Sequence, residues 1–121
     1  MHINKLIAIN SSTNKLVYET DNEIITKRNQ LVFYVELKPN NQLVVVSNDS
    51  RFELEDPDKS IVQLFLNSGF IQISEQVLVN TNYISKILIK RELVELLNLM
   101  VLPFSPIFKN NIDNYLQSLN D

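Results

Sequence analysis

The chain contains one glycine, Gly69, yet it breaks into many short runs of β-branched and aromatic residues, with asparagine in the gaps between them. Alternation of apolar and polar residues over about five to seven positions marks half-buried strands. Runs of this kind span Ile3–Ile9, Lys15–Glu19, Glu23–Lys27, Leu31–Leu37, Gln42–Ser47, Arg51–Glu55, Phe70–Ser74, Ser85–Lys90, Leu93–Leu97 and Met100–Phe104. Turn formers separate them: Asn10–Asn14, Asp21–Asn22, Asn29–Gln30, Pro39–Asn41 and Asn48–Asp49. Asparagine tolerates left-handed backbone because its short amide bonds locally, so it does the turn work that glycine does elsewhere.

Two segments have helical rather than strand periodicity. Over about 57–68, Asp56 is placed to cap, Pro57 takes the first helical position, and Ile61, Leu64 and Phe65 fall on one face. Gly69 follows as a left-handed C-terminal cap, and a single glycine cannot build a phosphate-binding loop or a dinucleotide fingerprint. Over about 106–119, Ser105 and Pro106 supply the cap and first position. Phe108, Ile112, Tyr115, Leu116 and Leu119 then form a stripe expected to pack on the domain's own sheet. The expected fold is mainly β, with one short helix and one C-terminal helix.

A length of 121 residues with 45% hydrophobic content fits one compact domain. The absence of cysteine excludes a disulfide scaffold, a thiolate zinc site and a cysteine nucleophile, and it suits a reducing compartment. No apolar run approaches the roughly 18 residues of a membrane span, and Met1–Asn10 lacks the pattern of a signal peptide. A cytoplasmic chain is expected. His2, the one histidine, is read as part of a frayed terminus rather than as a metal ligand or general base. No catalytic residue, metal site, cofactor or small-molecule substrate is therefore expected. Asp49, Glu53, Glu55, Asp56 and Asp58 form an acidic cluster, but alternate strand residues point to opposite faces, so a solvated sheet edge is expected there.

The net charge of -3 disfavours nucleic acid, whose phosphates call for a basic footprint. Distribution matters more than the total. Residues 84–110 carry Lys86, Lys90, Arg91 and Lys109 against Glu92 and Glu95, which leaves a locally basic face. Lys90–Arg91, at a hairpin tip, is read as a solvated turn ahead of a phosphate clamp.

The stretch FIQISEQVLVNTNYI, from Phe70 to Ile84, resembles the signature of the LytTR family of bacterial DNA-binding domains: Phe70, Leu78, Val79, Asn80 and Ile84 stand in register with it. Upstream, Tyr34, Val35 and Glu36 in LVFYVELKPNNQLVVVS match the family's hydrophobic-Glu strand. Downstream, Pro103, Phe104 and Ser105 match its Pro-Val-Ser, Phe108 its aromatic and Lys109 its basic residue. The resemblance covers about residues 22–117, so the chain divides into an N-terminal strand or hairpin extension, 1–21, and a LytTR-like domain, 22–121. Asn80 is expected to bond neighbouring backbone.

The resemblance implies an elongated antiparallel β domain whose loops reach into successive major grooves of double-stranded DNA. Residue by residue, the first loop falls on Asn40, Asn41 and Gln42, the second on Gln72, Ser74 and Glu75, and the third on Pro106 with Lys109 beyond it. At these places the family usually carries basic or imidazole side chains. Here the first loop has amides, the second Ser74-Glu75, and the third Pro106 in place of the usual arginine. A bidentate arginine on guanine is worth about 1–3 kcal/mol of discrimination, so losing two or three removes much of the roughly 4–10 kcal/mol that separates specific from non-specific binding. Amides still offer a bidentate route to adenine.

The implied function is a stand-alone transcriptional regulator with weakened or altered recognition, acting without a receiver domain and depending on concentration, on homodimerisation or on a separate partner. The alternative is a module of the same type that has become a protein-interaction element or antagonist, whose partner is another LytTR-type protein or a membrane protein. A fragment of a longer functional protein is a third reading.

Overall fold

Strands β4 (Val32–Lys38) and β5 (Gln42–Ser47) pair antiparallel through Val35↔Val45 and form the hairpin around which the rest is arranged. The computed structural model describes residues 2–55, 57 and 60–120. The fold is mainly β, with eleven strands among the described residues. Strand β6 (Arg51–Glu55) continues the sheet from β5, while β8 (Val77–Asn80) and β7 (Phe70–Ser74) extend it from β4, giving the order β6-β5-β4-β8-β7.

Strand β8 has no counterpart among the strands expected from periodicity. Val77, Leu78, Val79 and Asn80 are all buried, so the strand lies inside the molecule with no polar face and no alternation. It is nonetheless central, pairing Tyr34↔Val79 on one side and Ile71↔Val79 on the other.

This sheet is covered on both faces. Val35, Leu43, Val45, Phe52, Leu54 and Leu78 point to one side. There they meet Ile3, which precedes the first strand, and Leu6, Leu16 and Tyr18 of a meander formed by β1 (Lys5–Asn10), β2 (Lys15–Glu19) and β3 (Ile24–Lys27), together with Ile61 and Phe65 of α1 (Ser60–Leu66). Tyr34, Val44, Val46, Val77 and Val79 point to the other side. They pack on Val94 and Leu96 of a second three-stranded sheet, β9 (Ile84–Leu88), β10 (Leu93–Leu96) and β11 (Val101–Pro103), and on Ile112 of α2 (Lys109–Ser118). A register shift between Val32 and Tyr34 lets Phe33 join Tyr34 on this second side, where its ring meets Tyr83 edge-on at 5.3 Å.

The turns follow the asparagines. Asn14, Asn29, Asn40 and Asn41 all have positive φ, between 53° and 68°, the region their side chains tolerate best after glycine. Gly69, at φ 91°, turns the chain from α1 into β7, and its carbonyl accepts from Thr81 N and Thr81 Oγ1.

Three local expectations are revised. Helix α1 ends at Leu66, short of 68, and Pro57 is not helical; the expected cap Asp56 lies outside the described residues. The C-terminal helix opens with a 3-10 turn, Pro106–Phe108, and Ser105 makes no side-chain cap bond. His2 is not a loose end: it bridges Glu53 in parallel, and Ile3 N donates to Glu53 O at 3.0 Å, because the chain entry lies along the β6 edge. The turn around Asp21, at the expected boundary between 1–21 and 22–121, joins the paired strands β2 and β3. No helix among the described residues is long and apolar enough to cross a membrane.

Candidate nucleic-acid interface

Antiparallel pairing decides which turns share an end of the central sheet. Lys38↔Gln42 closes the β4–β5 turn, Glu36↔Val77 sets the start of β8 beside it, and Ser74↔Val77 closes the β7–β8 turn. A bond from Leu37 N to Gln76 O, 2.7 Å long, links the two turns directly. The β11–α2 junction reaches the same place: Ser105 N donates to Ile73 O at 2.8 Å, and Asn111 Nδ2 donates to Gln72 O at 2.9 Å. The structure therefore brings Asn40, Asn41, Gln42, Gln72, Ser74, Glu75, Pro106 and Lys109 together at one end of the molecule.

Their availability differs. Asn40 (φ 68°) and Asn41 (φ 57°) make the tight turn, and with Gln42 they are exposed. Backbone geometry alone accounts for asparagine there, and the exposed amides can bond a ligand. Gln72 Nε2 is engaged within its own turn, donating to Ser74 O at 3.0 Å, and Ser74 Oγ accepts from Gln76 N at 3.3 Å. Glu75 is exposed at the tip. Pro106 begins the 3-10 turn and offers no N–H.

Lys38 and Lys109 at this end are each paired with a carboxylate. Lys38 Nζ lies 3.5 Å from Glu36, and Lys109 Nζ lies 3.5 Å from Asp113, one helical turn on. Glu75 and Glu55 add negative charge; Glu55 stands opposite Gln42. Sequence reasoning missed Lys38, Gln76 and Asn111 as members of this surface. Only the pairing register and the docking of α2 bring them to it.

The other candidate features resolve structurally. On β6, Arg51, Glu53 and Glu55 are exposed while Phe52 and Leu54 are buried, the solvated edge expected; Asp56 and Asp58 lie outside the described residues. Among the described residues no group of three or more acids and histidines could hold a metal ion. Asn80 is buried, with Nδ2 donating to Val32 O and Oδ1 accepting from Asn82 N, each at 3.0 Å. Between β9 and α2 runs an open groove of about 410 Å³ lined by Ile87, Ile89, Ile112, Leu116 and Leu119, with Lys86 and Lys109 beside it. Neither a family model nor a curated protein matches the chain.

Proposed function

We propose that the chain forms a LytTR-type DNA-binding domain of a cytoplasmic bacterial transcriptional regulator, with weakened or altered sequence recognition. One observation supports this above the others: three loops, far apart in sequence and singled out by the resemblance, meet at one end of a rigid sheet. A row of turns on a fixed scaffold suits insertion into the roughly 12 Å wide major groove. The exposed amides of Asn40, Asn41 and Gln42 provide the donor–acceptor pairs that adenine accepts bidentately. The paired lysines and Glu75 limit the electrostatic part of binding, so weak, strongly salt-dependent and A·T-leaning affinity is expected.

Fluorescence anisotropy with A·T-rich and mixed duplexes, at low and then higher salt, tests this reading. No binding at about tens of micromolar protein, where ordinary non-specific association registers, would sink it.

A second reading, a protein-interaction module that does not bind DNA, is favoured by the paired lysines and added carboxylates at this end and by the apolar β9–α2 groove. It calls for co-elution with a second copy or a LytTR-type partner, together with silence in the duplex titration.

A further inference from the structure

Lys90 and Arg91 occupy the tip of the β9–β10 hairpin, both exposed, on a turn closed by Glu92 N donating to Ile89 O. From sequence a solvated turn outweighs a phosphate clamp for this pair; the fold gives the tip an address. Phe104 N donates to Glu92 O at 2.9 Å, and the next residue, Ser105, donates to Ile73 O at 2.8 Å. Two cross-chain steps of about 5.5 Å and one Cα–Cα step of 3.8 Å put Glu92 within roughly 15 Å of Ile73, comparable with the width of a major groove. The tip therefore flanks the loop containing Pro106, at the end where the three candidate loops gather.

The pair also differs from its neighbours in charge. Lys38 and Lys109 are each held by a carboxylate, whereas among the described residues Lys90 and Arg91 make no ion pair. The carboxylate nearest in sequence is Glu92, itself exposed. A phosphate can take both cations without displacing a partner; arginine offers its planar fork and lysine a point charge.

We infer that Lys90 and Arg91 clamp the phosphate backbone of a DNA duplex beside the groove entered by the three loops, anchoring the domain without reading sequence. This rests on the DNA-binding reading above. Phosphate contacts fix register and orientation and dominate the salt dependence of binding.

The test compares wild type, Lys90→Ala/Arg91→Ala and a charge-matched control, Lys15→Ala/Arg28→Ala, by anisotropy at about 50 and 200 mM salt. The control residues are exposed and lie near Asn14, which bonds Tyr83 at the opposite end of the sheet. Two lost phosphate contacts lower the log–log salt slope by about 1.8, so wild type should lose roughly twelvefold more affinity than the variant over that range. The ratio of A·T-rich to mixed affinity should stay unchanged, and the control should follow wild type. If wild type binds and the variant keeps its slope, the clamp is overturned while the DNA-binding reading stands. If wild type binds no duplex, both fall. Should the alanine pair not fold, Lys90→Gln/Arg91→Gln carries the same expectation.

Discussion

The side-chain amide of Asn80 donates a 3.0 Å hydrogen bond to the carbonyl of Val32, joining the end of β8 to the start of β4 across 48 residues of sequence. Its Oδ1 simultaneously accepts from Asn82 N and opens the 3-10 turn that leads into β9. One buried amide thus secures the central sheet and sets the exit towards the second sheet. Asn80→Ala leaves a buried carbonyl short of a partner, which costs about 1–3 kcal/mol. Urea unfolding should show a lower midpoint with an unchanged slope; an unshifted midpoint would mean that the amide is replaceable by water.

Asp49 should make stability acid-sensitive. Hydrogen bonds from Gln30 and Ser50, aided by Lys27, hold its carboxyl below the ordinary 3.8. A depressed folded-state pKa contributes stability that is present above 3.8 and is lost as pH falls through the lower folded value. Asp49→Asn should therefore narrow the difference between unfolding midpoints measured above and below pH 3.8. A variant as acid-sensitive as wild type would assign the effect elsewhere.

Gly69 needs its positive φ rather than the space around it. A Cβ there would meet only Thr81 Oγ1 at 3.9 Å, an ordinary contact, while φ is 91°. Gly69→Ala should cost roughly 1–2 kcal/mol from the backbone alone, read as a lowered melting temperature. A neutral result would show that the α1–β7 turn can relax.

At the candidate interface, the Lys109–Asp113 pair can be used to tune affinity. Lys109→Ala should weaken binding to every duplex alike. Asp113→Asn should strengthen it by about 1.4- to 5-fold, the equivalent of the ~0.2–1 kcal/mol of an exposed ion pair. Asn41→Ala should relax preference at one base position without changing the salt slope. If binding persists and none of these changes registers in the anisotropy titration, the interface lies on another face.

Much of the strand pattern is local and therefore legible. Lys15–Glu19, Gln42–Ser47, Arg51–Glu55 and Phe70–Ser74 have the bounds that their runs of β-branched, aromatic and aliphatic residues indicate, and β6 adds alternation: Phe52 and Leu54 face the core while Arg51, Glu53 and Glu55 face water. Val77–Asn80 escaped because it is short as well as buried on both faces, which erases period two; Gln42–Ser47, buried likewise, has a longer β-branched run between turn signals. His2 escaped because its pairing with Glu53 is long-range in sequence and leaves no mark on neighbouring residues.

The candidate site divides in the same way. Asn40 and Asn41 reveal their turn directly, since backbone sterics at positive φ act within a residue or two. Composition likewise records how few basic readers the loops hold. Yet no local pattern could announce that Gln72 spends its amide on Ser74, that Asp113 holds Lys109, or that Lys90 and Arg91, next to a turn bonded to Phe104, make no ion pair among the described residues. Strand character and turn chemistry are short-range properties, and the order of residues alone settles them. Which turns meet, and which charges survive unpaired when they do, depends on strand register and helix docking, which exist only once the chain has folded.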